Sequence, residues 1–197
     1  MAKLTGPMFG LTARGKLANT LVYSNWKGVP YTRKWLVPAN PNTSAQQAQR
    51  GYLASALADW HAISWGTGDK PAYDRWAAYG SKPMSGFNKY VSEYLKVKVA
   101  GNDWDKVRGL VAVDVTATTA TLTCVENSGL TDRTVEVFLG TSQGYMPVVG
   151  TATWDAVDSR YEFAATGLSS KTKYYFRVKM TSTGKEGWIG NGTFTTS

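Results

Sequence analysis

The sequence predicts an α+β front half followed by an all-β sandwich. Three observations predict it. Residues 15–43 combine strand-like alternation with Gly and Pro turn chemistry, and helical spacing of apolar residues then takes over as far as Leu95. The helical period is lost at Gly101-Asn102-Asp103. Beyond it, Thr-, Val- and aromatic-rich runs recur about every ten residues to the end, as in a sandwich. The organisation read from this is an extended arm over 1–14, a hairpin plus three helices over 15–100 acting as a docking domain, a linker over 101–107, and a sandwich over 108–197.

Gly6-Pro7 and Gly10 break any period in the arm. Residues 17–26 have strand character, Lys27-Gly28-Val29-Pro30 is turn chemistry with Gly28 free to take positive φ, and 31–37 is the return strand. Pro38 and Pro41 forbid its extension, since each removes a ladder donor. Thr43 or Ser44 caps the first helix, with Gln46 or Gln47 completing a capping box. Its apolar stripe is Ala45, Ala48, Tyr52, Ala56, Trp60 and Ile63, with Leu53 and Leu57. Asp69-Lys70-Pro71 starts a second helix that turns Tyr73, Trp76, Ala77 and Tyr79 inward and ends at Gly80. Ser85 caps a third, whose stripe is Phe87, Tyr90, Val91, Tyr94 and Leu95. The Trp and Tyr residues at this spacing read as core rather than as a ligand cage.

Seven strands are expected in the rear half: 110–116, 119–125, 134–139, 147–154, 160–165, 173–181 and 188–195. In the sixth, Tyr174, Phe176, Val178 and Met180 alternate with Lys173, Tyr175, Arg177 and Lys179, so one face is buried and the other wet.

The run Gly167-Leu168-Ser169-Ser170-Lys171-Thr172-Lys173-Tyr174-Tyr175-Phe176-Arg177-Val178, with Gly192-Thr193-Phe194-Thr195-Thr196 at the end, resembles the corner and last two strands of a fibronectin type III domain. The resemblance covers about residues 107–197. It implies a seven-strand Greek-key sandwich in which Tyr174 is the corner tyrosine, its hydroxyl bonding back to the chain, with Leu168 as a second structural residue. The tryptophan usual in the second strand is replaced near Cys124, and Trp154 or Trp188 is expected to fill that volume. Such domains display or bind. The front half has its own resemblance. Gly15-Lys16, Val22-Tyr23, Trp26-Lys27-Gly28, Tyr31, Arg33, Pro38, Asn40-Pro41-Asn42-Thr43, Ala45-Gln46 and Gln49-Arg50, with Trp60, Trp76 and Ser85-Gly86-Phe87-Asn88, are similar to a family of small phage and prophage proteins encoded among virion parts. The family implies no chemistry, only that company.

The net charge of +8 is uneven. Through Asp105 there are thirteen Lys or Arg against six acids; after it, nine against eight. Residues 15–50 carry Lys16, Lys27, Arg33, Lys34 and Arg50 and no carboxylate. A basic half suits nucleic acid, an anionic surface or an acidic protein. Cys124 is the lone cysteine and His61 the lone histidine, so an intrachain disulfide, a cysteine-ligand metal cluster and the usual two- or three-histidine metal site are excluded. Any nucleophile–His–acid set would have to be built around His61, which stands next to Trp60 on a helix and reads as a rim or capping residue. Asp103 with Asp105, and Asp155 with Asp158, read as turn and cap residues. Gly10 to Lys16 is a near phosphate loop, but Leu17 stands where Ser or Thr is needed and strand character follows. No cofactor, metal, catalytic activity, export signal or membrane span is expected.

What remains is adhesion. Lys16, Trp26, Lys27, Tyr31, Arg33, Lys34, Trp35 and Arg50 are the expected partner-binding residues, with strand alternation placing Tyr31, Arg33 and Trp35 on one face. The expected function is a phage virion structural protein, first an accessory capsid (decoration) protein that docks by its basic front domain and displays its sandwich. A head–tail connector or tail component is the alternative. The partners are the major capsid protein or other virion proteins and copies of the chain itself, with localisation in the virion. Stacking of bases on the same residues makes a nucleic-acid-binding accessory protein the remaining alternative.

Overall fold

The computed structural model describes residues 2–3, 14–80 and 84–197. The chain divides into two compact units, Met1–Thr43 and Ser44–Ser197. The first is a four-stranded antiparallel sheet in the order β1-β4-β3-β2, formed by β1 (Ala2–Lys3), β2 (Gly15–Leu17), β3 (Leu21–Trp26) and β4 (Val29–Lys34). This is more than the expected hairpin. Ala18 and Asn19 take positive φ and split the first expected strand into β2 and β3. The β3–β4 turn is two residues, Lys27 (φ 50°) and Gly28 (φ 82°), whose double left-handed conformation matches strand twist. Val29 and Pro30 belong to β4, paired with Trp26 and Asn25. Within the expected arm, Ala2 and Lys3 pair with Thr32 and Tyr31; residues 4–13 lie outside the described residues.

The second unit holds α1 (Ser44–Ala62), α2 (Asp69–Ala78), α3 (Gly86–Val99) and strands β5 to β12. Ser85 caps α3 as expected, its hydroxyl accepting from the Asn88 N–H at 3.3 Å. On α1, Tyr52, Ala56 and Trp60 turn inward, with Ile63 just past its end, but Ala45, Ala48, Leu53 and Leu57 are exposed, so the buried stripe is narrower than the sequence suggests. Tyr79, the C-cap of α2, is likewise exposed. Trp60, Trp65, Tyr73, Phe87, Tyr90, Tyr94 and Trp104 form one cluster of tilted and edge-to-face rings, with centroids 4.8 to 6.2 Å apart. These rings pack as core, as helical spacing predicts for Trp60, Tyr73, Phe87, Tyr90 and Tyr94; Trp65 and Trp104 lie outside the helices and join them.

The sandwich consists of β6 (Val107–Val113), β7 (Ala120–Glu126), β8 (Thr134–Gly140), β9 (Val148–Asp155), β10 (Arg160–Ala165), β11 (Lys173–Ser182) and β12 (Lys185–Thr195). β6, β7 and β10 form one half and β8, β11 and β12 the other, with β9 pairing to both β8 and β10, so a single curled sheet runs through both halves. Strand β8 pairs with β11 rather than with β7, which makes the connection a Greek key. The fold is an α+β front followed by a sandwich of fibronectin type III topology. Its core packs Leu110, Leu122, Val135, Val137, Phe176, Val178, Met180 and Ile189 between the halves. Cys124 is 1 % exposed, and burial pushes its thiol up to about 12. The residue opposite it in register is Tyr161, also 1 % exposed, so Tyr161 fills that part of the core. Trp154 only packs against its edge at 5.1 Å, and Trp188 lies against Phe138 and Trp76 instead.

Tyr174 is the corner tyrosine: its hydroxyl accepts from the Ser169 N–H at 2.9 Å, beside the buried Leu168, and its ring stacks on Phe194. Tyr174→Phe leaves that N–H without its acceptor and should cost about 1–3 kcal/mol in urea denaturation. Loss of under half that would show that water replaces the hydroxyl.

The stretch 101–107 is not a linker. β5 (Asp103–Trp104) runs parallel to β12, and Trp104, Asp105 and Val107 are buried. The helices belong to the sandwich's unit through β12. The Tyr73 hydroxyl donates to the Trp188 carbonyl, and Arg75 Nε donates to the Asn191 carbonyl at 2.6 Å. A Cβ on Gly190 would fall 2.7 Å from the Trp76 ring, so only glycine admits α2 this closely. Trp76 is in turn flanked by Lys89 (4.2 Å) and Arg177 (4.1 Å).

Candidate interaction face

In the first unit, antiparallel register sets what shares a face, because residues directly opposite point the same way. Val22 stands opposite both Lys16 and Arg33, Ser24 opposite Tyr31, and Trp26 opposite Val29. One face therefore gathers Lys16, Arg33, Trp26 and Tyr31. Trp35 joins them: its N–H donates to the Thr20 carbonyl at 2.7 Å, and Lys16 Nζ lies 4.6 Å above its ring. Trp26 is 69 % exposed, while Tyr31 and Trp35 are half-buried.

The structure thus brings together five of the eight expected partner-binding residues. Lys34 pairs with Leu21 on the opposite face, Lys27 sits in the turn, and Arg50 is an exposed residue of α1 in the other unit. Val22, half-buried between Lys16 and Arg33, and Ser24, half-buried opposite Tyr31, belong to the face and were not among the expected partner-binding residues; the β2–β3 register, which depends on the Ala18-Asn19 turn, is the signal that finds them.

Residues 14–43 are all exposed or half-buried, and among the described residues the buried core begins at Ala56. A short-stranded sheet gains stability chiefly by covering an apolar face. Aromatic rings and arginine on such a face are the side chains that anchor protein interfaces.

The other expected polar groups have structural partners. Asp155 accepts the Val157 N–H at 2.8 Å, the turn role expected of it. Asp155, Asp158 and Glu162 approach within 4.8 Å of one another, but Arg160 lies among them, 2.6 Å from Asp158 and 2.5 Å from Glu162. Asp103 pairs with Lys98 at 2.5 Å. Asp105 departs from the expected turn role: it is buried against Arg133 at 2.6 Å, with both side chains 4 % exposed. Burial raises its carboxyl above the ordinary range, Arg133 opposes this, and Glu126 adds to it. His61 is exposed on α1. Residues 15–17 of the near phosphate loop are strand β2, where a phosphate loop requires a helix. Among the described residues no helix is long and apolar enough to cross a membrane.

The sequence matches no protein-family model and no curated protein. Among solved structures it is similar to a fibronectin type III domain derived from the human KIAA0970 protein, with 21 % identity over 59 % of this chain and 86 % of that one and a TM-score of 0.38. A computationally redesigned β-sandwich protein matches with 22 % identity over 46 % of this chain and 93 % of that one, TM-score 0.36. The sensor domain of the anti-sigma factor RsgI4 from Pseudobacteroides cellulosolvens matches with 14 % identity over 47 % and 93 %, TM-score 0.35. The topology above rests on strand order rather than on these likenesses.

Proposed function

We propose that this chain is a non-enzymatic structural protein of a phage particle, most simply an accessory capsid protein, which docks through the Lys16, Trp26, Tyr31, Arg33 and Trp35 face and displays its fibronectin-like domain. The observation that carries docking is a sheet whose residues from 14 onward are all exposed or half-buried and which gathers Lys16 and Arg33 with three aromatic rings on one face. The phage setting rests on the sequence resemblance of the front half. An acidic protein surface fits the face because Trp, Tyr and Arg are the side chains that anchor protein interfaces, and Trp26, Tyr31 and Arg33 stand together there. Electrostatic complementarity then steers association.

Trp26 separates docking from folding, since an exposed ring contributes little to the chain's own stability. Trp26→Ala and Arg33→Glu should each melt like wild type, yet their copy number in purified particles, measured by quantitative mass spectrometry, should fall at least about tenfold, the effect of losing roughly 1.4 kcal/mol. Wild-type occupancy of both variants overturns the reading. Steeply salt-dependent binding of the full chain to a single-stranded oligonucleotide, lost in the same variants, would favour the nucleic-acid alternative.

A further inference from the structure

An open cleft of about 630 Å³ lies at one end of the sandwich, between the β7–β8 loop and the β11–β12 turn. Its lining is Arg133 and Lys185, the hydroxyl residues Thr134, Thr181, Ser182 and Thr183, and Asp132 beside Leu130. The loop that shapes it is fixed by buried groups. The Glu126 carboxylate, 2 % exposed, accepts the Ser128 and Leu130 N–H groups at 2.7 and 3.1 Å. The Tyr161 hydroxyl accepts the Arg133 N–H at 3.0 Å and donates to the Leu130 carbonyl at 3.1 Å. The cleft is therefore preorganised rather than a gap between mobile loops.

Arg133 has two unequal counter-ions. Asp105 holds its Nε from inside at 2.6 Å with a side chain 4 % exposed; Asp132 holds Nη1 at 2.6 Å with a side chain 73 % exposed. The inner carboxylate is fixed and the outer one is replaceable by solvent or by a ligand carboxylate of the same geometry. Lys185 supplies a second positive charge. Hydroxyls rather than apolar groups make up most of the remaining wall, and the volume lies in the range of small-molecule sites, well above that of a bare anion.

We propose that this cleft binds a sugar carrying a carboxylate. Its acid group takes the place of Asp132 on Arg133 with help from Lys185, and its hydroxyls meet the Ser and Thr wall. Asp132 acts as a built-in competitor for the guanidinium.

The test is an NMR titration of the isotopically labelled full chain with sodium glucuronate, with glucose and sodium sulfate as controls. Glucuronate should shift the amides of Thr134, Thr183 and Lys185, while glucose should not. Lys185→Gln should weaken binding at least about fivefold. Asp132→Asn, a change at an exposed side chain, should tighten it about threefold or more, because the competing charge is removed. No glucuronate response, or one unchanged in Lys185→Gln, overturns the proposal. So does an equal response to sulfate, which marks a plain anion site, or an equal response to glucose, which removes the acid requirement.

Discussion

Replacing Asp69 with alanine should lower the unfolding free energy of the Ser44–Ser197 unit by about 4 kcal/mol, and the melting temperature by roughly 10 °C. Asp69 is 0 % exposed at the start of α2. One carboxylate oxygen accepts the Gly66 and Gly109 N–H groups at 2.7 and 2.8 Å, and the other accepts Leu110 N–H at 2.8 Å. Two of these donors belong to β6, at the place where Gly109 takes φ +68° and the β6–β7 register shifts. A bulge turns backbone N–H groups out of the ladder, and Asp69 gives them an acceptor. It thereby pins the helices to the first sandwich strand. The alanine variant leaves all three donors without their acceptor, one of them, Leu110 N–H, fully buried. Asp69→Asn keeps the shape but points an amide NH2 at one or more donors, so it should fall about midway. An asparagine variant as stable as wild type in thermal denaturation would show that shape rather than charge holds the bulge.

Asp69 also shows what sequence patterning could not reveal. At the start of a helix it reads as an N-terminal acid, and only the fold places its carboxylate against residues forty positions on. The elements themselves were legible. All seven sandwich strands lie where alternation puts them, to within a few residues, because each buries one face and a period of two survives in the sequence. The error at 101–107 has a physical origin. Gly101, with φ +87°, ends a helix and removes periodicity, which reads as a boundary, yet Trp104 and Asp105 are among the more deeply buried residues nearby. Three buried residues, Trp104, Asp105 and Val107, in so short a segment carry no period to detect.

The interaction face was half legible for a similar reason. Alternation along β4 correctly groups Tyr31, Arg33 and Trp35, since it is a property of one strand. The same alternation already sets Lys34 on the other face, but adding Lys16 and Trp26 requires the cross-strand register, which the two left-handed turns set. The cleft was not legible at all. Its residues come from two stretches, 130–134 and 181–185, far apart in the chain, and neither carries a motif of its own.

The buried Asp105–Arg133 pair carries the second large effect and a pH signature. Arg133→Met removes the charge that offsets Asp105 while leaving that carboxylate buried near Glu126; about 3–5 kcal/mol should be lost near neutral pH. In the wild type the Asp105 carboxyl already sits above its ordinary range through burial, with Arg133 restraining the rise. Taking Arg133 away lets it rise further. A carboxyl raised on folding favours the protonated form, so its contribution is full below the unfolded value and is lost as pH climbs through the folded one. The deficit of the methionine variant should therefore be largest at about pH 7 and shrink by about pH 5, as Asp105 takes up a proton that the variant's folded state binds more tightly than wild type does. Urea denaturation at both values measures the gap. Pairing Arg133→Met with Asp105→Asn should recover much of the loss at about pH 7, because an uncharged amide beside a thioether is far cheaper to bury than a lone carboxylate. A gap that stays constant with pH, or a double variant no more stable than Arg133→Met alone, would place the cost in packing rather than in the stranded charge.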